Sequence, residues 1–217
     1  MKMAELSTVS AVAVATIKFY LRERLLPAGE RTSPNQADYT EQHVRRLRLI
    51  RGLLDVGGLS VAEAHRVLDA LDSEQPLQQI FGVAQAAVSE HIDPASVPAS
   101  ALARVDSVTD GWLVSPDNPG RLAAAQVIAS LEAIGHLSAR GWVERYAAAA
   151  LLIAEADLDE IDAIPDREGK AETVVVGTVL GDALFSGLRR TAQEHVSALR
   201  YQPGSAAHHH PSLAESP

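Results

Sequence analysis

The stretch that most constrains this chain is Ala13–Arg24. Ile17, Leu21 and Leu25 recur at every fourth position, which places them on one stripe of an α-helix and directs that stripe into a core. Thr16, Lys18, Phe19, Arg22 and Glu23 then face elsewhere. Pro27 and Gly29 end the helix. Upstream, Met3–Val9 reads as a short first helix with Leu6 and Val9 three apart, and Ser10-Ala11-Val12 supplies the turn. Two short helices joined this way form a helix-turn-helix, whose second member has the shape to enter a DNA groove.

The following residues extend that unit. Ala28–Asp38 is polar and rich in turn formers, and reads as a loop or short hairpin, a wing. Thr40 can cap a helix running to about Val56, with Glu41 in its first turn. Val44, Leu47, Ile50 and Leu54 are its apolar set, and Arg45, Arg46, Arg48 and Arg51 crowd its other sides. Gly57-Gly58 breaks it. Ser60-Val-Ala-Glu63 is a capping box opening a helix with Val61, Ala64, Val67, Leu68 and Leu71.

This order of residues resembles the MerR-type transcription regulators. The resemblance rests on Met1-Lys-Met-Ala-Glu-Leu6, Thr16-Ile-Lys-Phe-Tyr20, Leu25-Leu26, Arg31, Tyr39 and Leu59-Ser-Val-Ala-Glu63, in register over about the first 72 residues. It implies a winged helix-turn-helix that binds double-stranded promoter DNA as a homodimer. Bending and untwisting of the promoter would then present its elements to RNA polymerase, so the polymerase is an indirect partner. Two departures concern glycine. The family often has Gly where Ala11 stands and usually where Arg24 stands, so the turn after the first helix is expected to form without a freely available positive φ. A third departure is Asn35-Gln36-Ala37, where the family usually carries Gly-Tyr-Arg. The wing contacts are thereby reduced to Arg31 and Tyr39.

The DNA-contact set expected from the residues and the resemblance is Thr16, Lys18, Phe19, Tyr20, Arg22, Arg31, Tyr39, Arg45 and Arg46. Lys and Arg neutralise phosphate, Thr and Tyr hydroxyls donate to it, and Thr16 or Phe19 can touch a thymine methyl. For Phe19 and Tyr20 the competing reading is helix–helix core; for Arg22 it is a solvated surface. Arg48 and Arg51 read as ion-paired surface residues.

Charge is divided unevenly. Residues 1–72 hold ten Lys/Arg against nine Asp/Glu, and the remainder holds nine against nineteen. A near-neutral reader joined to an acidic helical partner fits that asymmetry. With no Cys, disulfides, thiolate-bound zinc and thiol redox sensing are excluded. No uninterrupted apolar run suggests a membrane span and no leader pattern opens the chain, so a cytoplasmic location is expected.

The second half reads as helices only, giving an all-α fold: a winged helix-turn-helix followed by a helical bundle. The expected divisions are a DNA-binding domain over 1–72, a linker at 73–76, a helical effector-binding and dimerisation domain over 77–201, and a disordered tail over 202–217. Helices are expected over Leu77–Ile92, Ala99–Trp112, Pro119–Gly135, Ala139–Ala163 and Arg167–Leu199. The β-branched run Thr173–Val176 favours strand by propensity. Leu180, Leu184 and Leu188 nonetheless repeat every four, and Gly177, Gly181 and Gly187 would let another helix approach closely. Trp112, Trp142, Tyr146 and Phe185 are candidates for an apolar effector pocket, with plain core as the competing reading. The effector would be a hydrophobic or cationic small molecule.

No nucleophile with its base is visible; Asp157, Asp159, Glu160 and Asp162 read as a solvated acidic face. Neither an enzyme nor a cofactor or metal site is expected. Two functions remain: a homodimeric regulator answering to an organic effector, with a closed cavity around Trp112, Trp142 or Phe185; or a DNA-binding adaptor whose helical domain docks a protein, with an exposed apolar patch instead.

Overall fold

The computed structural model describes residues 1–33, 36–89, 91–137 and 140–201. Helix α1 (Met3–Ser10) and helix α2 (Val14–Arg22) meet at 104°, within the range of helix-turn-helix units. Ala11 closes α1 in the left-handed region, at φ 56° and ψ 30°. Val12 N–H then reaches back to the Ser7 carbonyl at 3.2 Å. The turn therefore does use positive φ, against expectation, with Ala in place of Gly. Arg24 repeats this beyond α2, at φ 57°.

Ile17 and Leu25 are fully buried as expected. Tyr20 joins them and Leu21 is only half-buried, because the inward stripe drifts at 100° per residue. Val9 is exposed, whereas Leu6 of the same helix is buried.

The wing is a hairpin of β1 (Glu30–Ser33) and β2 (Gln36–Asp38), with Glu30 opposite Asp38 and Arg31 opposite Ala37. Helix α3 spans Glu41–Arg51 and relaxes into a wider π-type turn over Gly52–Val56. In helix α4 (Val61–Leu71) the capping box forms: Ser60 N–H donates to Glu63 Oε2 at 2.7 Å and Glu63 N–H to Ser60 Oγ at 3.2 Å.

Helix α5 (Leu77–Val88) is followed by a 3₁₀ turn at Pro94–Ser96 and then by α6 (Ala99–Val108), α7 (Pro119–Ala133), α8 (Trp142–Asp162) and α9 (Arg167–Tyr201). Asn118 caps α7 through Arg121 N–H at 3.0 Å. The Ser138 cap and the 202–217 tail lie outside the described residues.

The main core runs across the 73–76 junction. Leu6, Ile17, Leu47, Ile50, Leu53 and Leu68 belong to one buried cluster with Ile80, Ala87, Ala171, Val174, Val175 and Val179. The first half of α9 is thus a strut against α5, α4 and the π turn. Gly57 permits the contact: a Cβ there would sit 2.3 Å from Val179 Cγ1. A smaller core holds Val97, Ala101, Val105, Ala125 and Ile128.

Two expectations about α9 change. By length and composition it is apolar enough to cross a membrane, although its first half is spent in the core. Nothing stands within 4 Å of a Cβ built at Gly177, Gly181 or Gly187, so no helix among the described residues uses those glycines for close approach. Leu184 and Leu188 are exposed.

Candidate nucleic-acid interface

Because Ile17 and Tyr20 anchor α2 from behind, its front is fixed. Ala15, Lys18 and Arg22 point out, with Phe19 and Thr16 half-buried on the shoulders. Arg22 is tethered: its Nε donates to Glu23 Oε1 at 3.0 Å, and its guanidinium lies 5.2 Å from the Phe19 ring centre. Lys18 and Arg31 are both exposed and line one cleft of about 560 Å³ between α1, α2 and the wing, with Lys2, Ser33 and Gln36.

Lys2 is a residue that sequence reasoning missed as part of this surface. Its Nζ sits 2.8 Å from Asp38 Oδ1 and 3.0 Å from Thr32 Oγ1, tying the start of α1 to both wing strands. That salt bridge and the lysine's hydrogen bond hold the Asp38 carboxyl below its ordinary range. The only available signal was a cation next to the N-terminus of the first helix. The wing is held from the other side too: the Met1 ammonium donates to the Tyr39 carbonyl at 2.7 Å and Tyr39 N–H to the Met1 carbonyl at 2.8 Å.

Several expected contacts serve the fold instead. Tyr20 is 5% exposed. Burial, and then the Asp55 carboxylate, push its phenol above its ordinary value. The Arg51–Asp55 pair (2.8 Å) lies close enough for both charges to act on that phenol, Asp55 raising its pKa and Arg51 lowering it. Tyr39 is 6% exposed and likewise raised by burial, and its ring meets His43 edge-on at 5.2 Å.

Arg46 is a correction of the same kind. Its Nε donates to the Leu25 carbonyl at 3.0 Å, and its two terminal nitrogens grip Asp72 at 2.8 and 2.6 Å. A fork already filled by a carboxylate and a carbonyl has little left for phosphate. Arg45 is exposed but shares a hollow with Glu168 and Glu172 of α9, away from the cleft. The two arginines thus do not extend the surface that Lys18 and Arg31 make.

An outward helix face bearing two cations, flanked by a wing bearing a third, is suited to a duplex backbone and its groove. Residues 1–71 match the family described as MerR HTH family regulatory proteins. The chain as a whole resembles the crystal structure of a candidate transcriptional regulator, SCO5550 from Streptomyces coelicolor A3(2). The two share 34% identity over 94% of this chain and 99% of that one, at a TM-score of 0.72. This chain belongs to the MerR family. A comparison with curated proteins gave no match. Since the similarity to SCO5550 extends far beyond the first 71 residues, the helical half belongs to this MerR protein's inherited fold as well.

In that half, Trp142, Tyr146 and Phe185 do come together, on one groove of about 720 Å³ between α8 and α9. Trp142 and Tyr146 stack edge-to-face at 5.9 Å, and Tyr146 Oη accepts from Arg189 Nε at 3.0 Å and Nη2 at 2.6 Å. Arg145, Arg189 and Arg200 line the same groove, and among the described residues no Asp or Glu does. Trp112 lies elsewhere, in the segment after α6. The groove is open: Trp142, Tyr146 and Phe185 are 37%, 44% and 39% exposed. A closed cavity is not what these aromatics form.

Proposed function

We propose that this MerR-family DNA-binding regulator works as a homodimer, each copy setting α2 into the major groove and its wing against the adjoining backbone. Lys18, Arg22 and Arg31 would carry the contacts, Lys2 would hold the wing in place, and Thr16 and Phe19 would reach sugar or thymine methyl. The observation carrying this reading is that Lys18 and Arg31, from separate elements, flank one cleft. A dimer spanning two half-sites would bend and untwist a promoter and so act on RNA polymerase through the DNA; deformation of that kind costs on the order of a few kcal/mol, supplied by protein contacts. Such a reader works in the cytoplasm, where the chromosome is, and needs no catalysis.

The groove at Trp142, Tyr146 and Phe185 would receive the effector. Its three arginines make a cationic ligand unfavourable, so of the hydrophobic or cationic effector expected from sequence the hydrophobic alternative fits better, and an anionic group on it would fit as well. A second reading, a DNA-binding adaptor that docks a protein, is favoured by the openness of the groove. A thermal-shift screen separates the two: a midpoint raised by small hydrophobic acids supports the effector, and none raised supports the adaptor.

The DNA reading is tested on a duplex carrying the inverted repeat selected by the full-length protein from a random pool. Lys18→Ala and Arg31→Ala should each weaken binding and each reduce the slope of log K against log salt by about 0.9. An unchanged slope in both variants would remove the proposed face from the DNA.

A further inference from the structure

The wing has two unlike faces. Glu30 is paired directly opposite Asp38, and Arg31 opposite Ala37, so the first pair projects to one side of the hairpin and the second to the other. Arg31 and Ala37 line the cleft, and Glu30 and Asp38 do not. One side of the wing therefore offers a cation to DNA, and the other carries two carboxylates.

Lys2 belongs to both sides. It lines the cleft with Lys18 and Arg31, yet its ammonium is engaged by the wing, 2.8 Å from Asp38 Oδ1 and 3.0 Å from Thr32 Oγ1. Among the described residues, neither Lys18 nor Arg31 has an ion pair. A lysine and a carboxylate in contact largely cancel each other's charge at distances beyond their own separation. An approaching duplex is thus drawn to the cleft by Lys18 and Arg31, and finds Lys2 already neutralised. The pair is not locked, however. Its two side chains are 51% and 44% exposed, and exposed pairs hold weakly. A phosphate at hydrogen-bond distance can therefore take the ammonium, which is a point charge with three donors on a flexible stem.

We propose that Asp38 is a specificity-determining residue: it competes with backbone phosphate for Lys2, so that Lys2 counts toward binding only when a duplex is seated closely enough in the cleft to displace the carboxylate. A loosely held duplex of the wrong sequence meets Lys18 and Arg31 there; a seated operator gains Lys2 as well. The proposal rests on the DNA reading above and adds an acidic competitor at the edge of the interface.

The test is a salt titration of the full-length protein against two duplexes, the selected operator and a scrambled sequence of equal length. Asp38→Asn keeps an acceptor for Lys2 but removes the charge that cancels it. On the scrambled duplex the slope of log K against log salt should steepen by about 0.9, and on the operator it should stay as in wild type. The ratio of operator to scrambled affinity should fall by about fivefold. Combining Asp38→Asn with Lys2→Ala replaces one neutral pair by another. That double variant should match wild type on the scrambled duplex and lose about 0.9 of slope on the operator. If it kept the wild-type operator slope, Lys2 would only brace the wing, and the proposal would be overturned. It would be overturned equally if Asp38→Asn steepened both slopes alike, since the carboxylate would then be a repelling charge and nothing more. Lys18→Ala separates this outcome from the underlying reading. An unchanged operator slope in Lys18→Ala overturns both, whereas a reduced one, with Asp38→Asn treating the two duplexes alike, overturns the competitor alone.

Discussion

At the scale of single residues, the departures from the family pattern turn out to be sites of backbone strain. Ala11 and Arg24 stand where relatives commonly have Gly, and both hold φ near +56°. An L-residue in that region carries roughly 1–2 kcal/mol of steric cost, partly offset in glycine by greater chain entropy when unfolded. Ala11→Gly and Arg24→Gly should each stabilise the protein by about 0.5–1 kcal/mol, seen as a higher urea midpoint at unchanged m-value. Arg46 gives the opposite case. With its side chain 12% exposed and its donors filled, Arg46→Ala should cost about 1–3 kcal/mol of stability while leaving the salt dependence of DNA binding as in wild type. If Arg46→Ala instead flattened that dependence, Arg46 would belong among the phosphate contacts.

At the scale of elements, the join between wing and α3 depends on a neutral histidine. Thr40 N–H donates to His43 Nδ1 at 3.1 Å, which requires that nitrogen unprotonated. His43 Nε2 is buried, and burial lowers the imidazole's pKa, outweighing the backbone of Ala28, which acts to raise it. Below the ordinary histidine value the unfolded chain takes up a proton that the folded chain refuses. Stability should therefore fall as pH drops through that value and level off once the folded-state pKa is passed. His43→Asn keeps an acceptor for Thr40 and has nothing to titrate, so its melting temperature should lose this part of the pH dependence. An equal slope in wild type and variant between pH 7 and 5 would assign the effect to other groups.

The whole molecule is organised by the contact between α9 and the DNA-binding unit. One core spans both, so unfolding should be a single transition. Gly57 allows Val179 to approach, and an added Cβ would also lie 2.8 Å from the Leu53 carbonyl. Gly57→Ala should cost about 1–3 kcal/mol by overpacking and loosen α9 from the π turn, giving a lower and broader melt in calorimetry. A melt as sharp and as high as wild type would mean that this contact does not couple the halves.

How much of this was legible beforehand follows the range of the forces involved. Local signals were sufficient for the elements: the fourfold spacing in α2, the Ser60–Glu63 box, Asn118 before α7, and the leucine period that outweighed a β-branched run in α9. The ordered residues of positions 1–71 were enough for the family. What they left open was which side of each helix meets another element, because that is set by partners remote in sequence. Tyr20 and Arg46 carry the chemistry of DNA contacts, and only folding, which buries Tyr20 in the main core and brings Leu25 and Asp72 to Arg46, engages them inside the protein. Lys2 looked unremarkable until the wing folded back onto it. Likewise Trp142 and Phe185, forty-three residues apart, share a groove while Trp112 does not, since a hairpin of two long helices sets distances that no sequence period records.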